Sequence, residues 1–247
     1  MSVLVVTGTD TGVGKTVVSA AIARALSSLG VNVGIMKPIE TGCHKRNGKL
    51  TRSDAIYLKT AARVSDPLEM ITPYAYQNPL SPRAASLLEG NEIFLETVLQ
   101  TYDQLCRRHT FLIVEGLGGL LVPLTARADL PDLIRLLDLP VLLVARSGLG
   151  TLNHVLLTLR YGSGHGIRFQ GIIFNRTTPS LSLADKTNPA SLAERTDIPL
   201  LGTLPYFRKS GNEEGDISRS EKLLMGNELI KGMILSWTRD GGSFSSV

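Results

Sequence analysis

Short apolar runs alternate along the chain with stretches in which apolar residues recur every three to four positions. Residues 3–6 are four consecutive apolar side chains leading into a glycine turn, the pattern of a strand buried on both faces. Over residues 15–29, Val17, Val18, Ala21, Ile22, Ala25 and Leu26 fall on one helical stripe, and Gly30 offers the left-handed residue that ends it. Residues 31–36 predict the next strand. Ser53 predicts the N-cap of a helix running to Ala62. Residues 79–83 restart the chain ahead of a short helix over 84–89, and 93–108 has the pattern of a longer amphipathic helix. Strands over 111–114, 141–145, 172–174 and 200–204 alternate with helices over 130–137, 152–161 and 190–195. The glycine-spaced stretch 162–166 reads as a loop. Residues 221–237 predict a terminal helix, and the Gly- and Ser-rich stretch 241–247 a frayed tail.

Continuous apolar strands alternating with helices predict an α/β fold: a mostly parallel, doubly wound sheet with helices on both faces and a ligand crevice at the strand C-termini. A length of 247 residues fits one such domain, and no repeat or linker divides it. Residues 1–240 are therefore expected to form a single P-loop domain ahead of the tail. Apolar residues at 43% and charged residues at 19% exclude a wholly disordered chain. The formal charge of +4 is too small and too dispersed to argue for nucleic acid. Its densest basic stretch (Lys45, Arg46, Lys49, Arg52) reads as a solvated loop. No apolar run approaches the ~20 residues of a membrane helix, and residues 1–6 lack the basic lead and length of an export signal. The expectation is a cytoplasmic protein, bound to neither nucleic acid nor membrane, with Cys43 and Cys106 as free thiols.

The most informative motif is Gly8-Thr9-Asp10-Thr11-Gly12-Val13-Gly14-Lys15-Thr16, which follows a strand and opens a helix. Glycines let backbone N–H groups turn inward towards phosphate oxygens, Lys15 brings a point charge to the β- and γ-phosphates, and Thr16 offers a hydroxyl to Mg²⁺. The helix dipole adds positive potential at the same place. Gly8 lies one residue further back than in the simple Gly-x4-Gly-Lys-Thr pattern. The loop resembles a variant shared by dethiobiotin synthetases, cobalamin-pathway amide synthetases and partitioning ATPases. Partitioning ATPases carry a signature lysine at the place of Thr11, and the amide synthetases usually add a glutaminase domain for which this chain is too short.

Magnesium on a P-loop threonine usually needs carboxylate help. Glu115 ends the strand over 111–114, where a charged tip faces the crevice. Asp54, at the start of a helix, reads equally as a residue favoured by the helix dipole or as a ligand. Lys37 ends the second strand, beside the P-loop strand, and composition alone would leave it a solvated strand end. The four histidines have no ligand spacing, and the glycines at 116, 118 and 119 lack the context of a dinucleotide fingerprint.

Several segments in order, spanning roughly residues 3–207, resemble the dethiobiotin synthetase family. They are the P-loop from Thr7, Lys37-Pro38 through Gly42, Arg52-Ser53-Asp54-Ala55, Asn78-Pro79-Leu80-Ser81-Pro82 and Val114-Glu115-Gly116 through Pro123. Asn153-His154, Gly171 through Asn175 and Leu201-Gly202-Thr203-Leu204-Pro205 complete the set. The resemblance implies ATP as co-substrate and Mg²⁺ as metal, with 7,8-diaminopelargonic acid and CO₂ or bicarbonate converted to dethiobiotin, ADP and phosphate. It implies that Gly12, Val13, Gly14, Lys15, Thr16 and Val17 cradle the triphosphate, and that Thr16, Asp54 and Glu115 hold the metal. Lys37 and Lys15 would carry the catalytic charge. Thr11 and Thr41 would contact the diamine, and Glu115, Gly116, Leu117 and Gly118 would touch nucleotide and substrate. Asn175 would read adenine beside Arg176, with Pro205, Tyr206 and Phe207 lining the base pocket. Some relatives carry glutamate where this chain has Gly12, which removes any substrate contact from that side chain. The resemblance also implies a homodimer.

Overall fold

A computed structural model of the protein describes residues 1–206, 208 and 210–239. In chain order the elements are β1 (Ser2–Gly8), α1 (Lys15–Ser28), β2 (Val33–Met36), β3 (Ile39–Glu40), β4 (His44–Arg46), β5 (Lys49–Thr51), α2 (Ser53–Ala62), α3 (Leu68–Ile71), β6 (Tyr74–Ala75), α4 (Pro82–Glu89) and α5 (Leu95–Arg108). They continue with β7 (Phe111–Gly119), α6 (Leu130–Leu136), β8 (Pro140–Arg146), α7 (Thr151–Gly164), β9 (Arg168–Asn175), α8 (Leu183–Ala193), β10 (Leu200–Leu204), α9 (Glu213–Met225) and α10 (Glu228–Arg239).

Six strands form one sheet in the order β10-β9-β8-β1-β7-β2, and every neighbouring pair runs parallel. The side-chain alternation of the strands divides the interior into two cores. Leu4 and Val6 of β1, Ile113 of β7 and Val144 of β8 pack on one face against α1, α2, α9 and α10, through Ile22, Leu58, Ile217 and Ile234. Val3, Val5, Leu112 and Leu143 face the opposite way, against Leu105 of α5, Ile134 of α6, Val155 of α7 and Leu192 of α8. Both faces are covered, as a parallel sheet requires. β1 lies between β7 and β8, so the chain leaves β1 for one side of the sheet and later crosses to the other. The loop after β1 therefore opens onto the crevice where the winding reverses.

Several elements differ from the sequence expectation. The strand over 31–36 begins only at Val33. The strand over 111–114 extends to Gly119, so Glu115 lies within β7 and is fully buried, not at a strand tip. The basic stretch expected as a loop forms the exposed hairpin β4–β5, turning at Asn47-Gly48. Helix α7 continues through residues 162–164. A Cβ at Gly162 would lie 2.6 Å from two ring carbons of Phe169, so the glycine admits the β9 ring against the helix. Helix α8 begins at Leu183, capped reciprocally by Ser182 and Asp185, with Pro189 inside it; the proline made the later residues 190–195 look like the start. Residues 221–237 are divided between α9 and α10 by Gly226-Asn227. The tail 241–247 lies outside the described residues.

Ser53 is the first residue of α2 and does not cap it; Arg52 holds the cap position and gives no side-chain hydrogen bond. The first N–H groups of α2 find their acceptor elsewhere in the fold, on Glu40.

Candidate active site at the strand tips

The loop between β1 and α1 is fixed on two sides. Thr9 N–H donates to the Val144 carbonyl of β8 at 3.0 Å. Asn175, at the end of β9, is buried and donates its Nδ2 to the Val13 carbonyl at 2.9 Å. Gly14 has φ 101°, and a Cβ there would lie 2.0 Å from Asn175 Nδ2. Only glycine satisfies both conditions. The loop thus presents the N-terminus of α1 to the crevice, with the partial positive charge of its first N–H groups.

Lys15 opens α1 and folds back over the loop. Its Nζ donates to the carbonyls of Asp10 at 2.9 Å and Gly118 at 2.7 Å. Burial lowers its pKa to about 8; Glu115 opposes the shift and Lys37 adds to it. Thr16 Oγ1 donates to Glu115 Oε1 at 2.8 Å, with Asp54 Oδ2 at 3.4 Å. Lys37 stands at the end of β2, its backbone N–H bonded to the Ile71 carbonyl at 2.8 Å. Its buried ammonium pairs with the same two oxygens, Glu115 Oε1 at 2.9 Å and Asp54 Oδ2. Burial pulls the Lys37 pKa down, but the attraction of Glu115 and Asp54 outweighs it and the net shift is upward. Lys37 is therefore held as a cation.

Four groups (Thr16, Lys37, Asp54, Glu115) thus converge from α1, the end of β2, α2 and β7. Glu115 Oε2 is buried with no protein partner. Two carboxylates and a hydroxyl, with one buried acceptor to spare, are the hard oxygen donors that Mg²⁺ takes alongside phosphate and water. The donor set fits that ion.

Residues Lys15, Lys37, Asp54 and Glu115 line a cleft of about 730 Å³, and Thr11, Gly12, Gly14, Val17, Thr41, Gly116, Leu117 and Gly118 line it too. Residues 79–82, which carried no role in the sequence, line it as well. Val13 is buried. Asn175, Arg176, Pro205 and Tyr206 are outside the lining of this cleft, at the tips of β9 and β10, which Arg176 N–H joins by donating to the Leu204 carbonyl at 3.0 Å, although Asn175 abuts the loop that borders it. Phe207 lies outside the described residues. Glu40 was not singled out from sequence: it is buried, lines the cleft, and accepts the backbone N–H groups of Asp54 and Ala55, both at 3.0 Å. Glu40 lies inside the Lys37–Gly42 segment that carries the family resemblance, but nothing in its spacing gave it a role of its own.

A family model described as an AAA domain matches residues 2–214. The chain is 43% identical over 217 residues to the ATP-dependent dethiobiotin synthetase of Thermodesulfovibrio yellowstonii, covering 85% of this chain and 90% of that protein. It is 44% identical over 221 residues to the enzyme of that name from Anaeromyxobacter sp., covering 90% and 94%. For the enzyme of that name from Bacillus velezensis the identity is 38%, with 84% and 88% covered. Among solved structures, the septum site-determining protein MinD of Pyrococcus horikoshii, in complex with Mg-ADP, superposes with a TM-score of 0.54 at 16% identity, over 100% of this chain and 99% of that one. That likeness shows the P-loop fold alone.

Proposed function

The chain belongs to the ATP-dependent dethiobiotin synthetase family, a family of ligases that form carbon–nitrogen bonds in biotin biosynthesis, and from that premise we propose how its strand-tip cleft closes the ring. The observation that carries the reading is the meeting of two lysines, two carboxylates and a threonine hydroxyl in one cleft at the end of a P-loop. The substrates are 7,8-diaminopelargonic acid, CO₂ and ATP. One amine adds to CO₂ and loses a proton, giving a carbamate. A carbamate oxygen attacks the γ-phosphorus of ATP, and ADP leaves. The second amine attacks the carbon of the resulting mixed anhydride, the C–O bond to phosphate breaks, and the five-membered urea ring closes.

The difficulty lies in bringing two anions together and in the charge that develops on the transferring phosphoryl group. Lys15, once turned from its carbonyl partners to the β- and γ-phosphates, and Lys37, already held cationic, meet that charge. The loop from Gly12 to Val17 positions the triphosphate. Thr16, Asp54 and Glu115 would hold Mg²⁺, which neutralises phosphate oxygens. Thr11 and Thr41 on the cleft wall would orient the diamine, with Gly116, Leu117 and Gly118 touching both ligands. Asn175 and Arg176 would read adenine, and Pro205 and Tyr206 would line the base pocket.

The assembly is a homodimer of one P-loop domain per chain, acting in the cytoplasm; no helix among the described residues is long and apolar enough to cross a membrane. Leu149, before α7, and Leu183, opening α8, are 93% and 78% exposed. The two segments are tied together, because Ser147 Oγ donates to Asp185 and Asn188 Nδ2 donates to the carbonyls of Ser147 and Gly148. Two large apolar side chains presented by one rigid corner suit burial against a second copy.

Incubation with ATP, Mg²⁺, bicarbonate and 7,8-diaminopelargonic acid should yield dethiobiotin by mass spectrometry, and the product should be lost without bicarbonate or in Lys15→Ala. ATP hydrolysis with no such product would defeat the substrate assignment.

A further inference from the structure

We propose that Glu40 is a positioning residue for the magnesium site: its buried carboxylate caps the N-terminus of α2 and so fixes where Asp54 stands. The inference rests on the assignment of Asp54 to the metal. Helix α2 begins with backbone N–H groups that need acceptors. Its cap residue Arg52 supplies no side-chain bond. An acid in the first helical turn often serves this purpose itself, and Asp132 and Asp185 do so within the reciprocal caps of α6 and α8. Asp54 does not, because its Oδ2 is turned to Lys37 and Thr16. Glu40 takes over, one oxygen on Asp54 N–H and the other on Ala55 N–H.

Glu40 is itself held in place. Strand β3 pairs with β6, Glu40 opposite Ala75, and the Glu40 carbonyl accepts Tyr76 N–H at 2.8 Å. With 5% exposure its side chain has little rotamer freedom. A carboxylate bonded to two successive N–H groups restrains both the position and the rotation of the first turn of α2. Asp54 lies in that turn, so Glu40 sets the direction from which its carboxylate enters the cleft. Such supporting partners commonly change metal affinity by about 10- to 100-fold when removed.

The test is calorimetry of ADP binding with EDTA and with Mg²⁺, on the full chain. In Glu40→Gln, which keeps the shape but sets an amide donor against a backbone donor, ADP affinity in EDTA should hold. The gain on adding Mg²⁺ should shrink about tenfold. Glu40→Asp, which keeps the charge but is one methylene short, should lose an intermediate part. In Asp54→Asn the Mg²⁺ gain should be lost, and adding Glu40→Gln to it should cost nothing further, since one residue acts through the other. A full Mg²⁺ gain in both Glu40 variants, with Asp54→Asn impaired, would overturn the inference while leaving the metal site. A full gain in Asp54→Asn would overturn the metal assignment and the inference together. Additive losses in the double variant would show Glu40 acting on its own account, which also overturns it.

Discussion

Lys15 is a cation that the fold holds at a disadvantage until phosphate arrives. Its pKa of about 8 lies below the usual 10.5 because burial strips water from the ammonium. Between these values the unfolded chain keeps a proton that the folded chain has released, so this residue makes stability rise with pH across that window. The penalty is present in full below about pH 8 and is relieved as pH approaches 10.5. Nucleotide phosphates reverse the balance by favouring the charged form. ADP binding in EDTA near pH 8.5 should therefore take up a fraction of a proton, and affinity should fall as pH rises further. Calorimetry in buffers of different ionisation heat measures the uptake, which should vanish in Lys15→Arg; wild-type binding without uptake would contradict the account. Lys37 differs in kind. It neutralises Glu115, which is fully buried, so Lys37→Met leaves an uncompensated carboxylate and should destabilise the protein by about 3 kcal/mol. Urea unfolding should show that loss, with partial recovery on adding Mg²⁺, and ring closure should fall by about two to three decades. The phosphate loop was legible in sequence because its chemistry sits in nine contiguous residues following a strand. Glu115 was singled out as a charge at a strand tip; it does line the cleft but lies within β7, since nothing in the apolar run showed that β7 continues through its glycines. Glu40 lay in a segment that carries the resemblance but had no role there, because its partners are fourteen and fifteen residues away and the β3–β6 pairing that holds it is too short to leave a pattern.

Helix α2 shows how elements are fixed by groups outside them. Glu40 caps its N-terminus, and Arg24 of α1 serves its C-terminus, with Nε on the Ala61 carbonyl at 2.9 Å and Nη2 on the Thr60 carbonyl at 2.8 Å. The same guanidinium pairs with Glu214 in the first turn of α9, so one buried side chain ties three helices. The two partners are not equal. Arg24→Met would strand two carbonyls and should lower stability by about 3 kcal/mol, whereas Glu214, 58% exposed, is worth about 1 kcal/mol or less. Urea denaturation of Arg24→Met and Glu214→Gln gives the comparison, and equal losses would contradict it. Local pattern found the long helices and the buried strands well, since their period repeats over many residues. It failed where an element is two or three residues long, as in β3, β6 and the hairpin β4–β5. It also failed where an end is set by a distant partner, as when Ser53 seemed the natural cap.

For the molecule as a whole, alternation of apolar strands with helices was enough to predict a doubly wound sheet, because a parallel strand buried on both faces needs helices on both sides. The order β10-β9-β8-β1-β7-β2 was not available from the same pattern. Strands of nearly uniform apolar composition give no sign of which neighbours they take. Surface leucines pose a related problem, since sequence alone does not separate those that pack from those that project. The structure separates them. The apolar stripe of α10 is consumed by packing, with Ile230, Ile234 and Trp237 buried in the core, while Leu149 and Leu183 project from the corner that Ser147, Asp185 and Asn188 lock together. A dimer using this corner removes both side chains from water, at about 1.5–3 kcal/mol for each leucine fully covered. Leu149→Asp with Leu183→Asp should then convert a dimeric mass in light scattering to a monomeric one. The unfolding free energy of each subunit should change by no more than about 0.5 kcal/mol, because neither leucine supports its own chain. If the doubly substituted protein stays dimeric, the subunits meet through another face; if it unfolds, these leucines belong to the subunit's own packing.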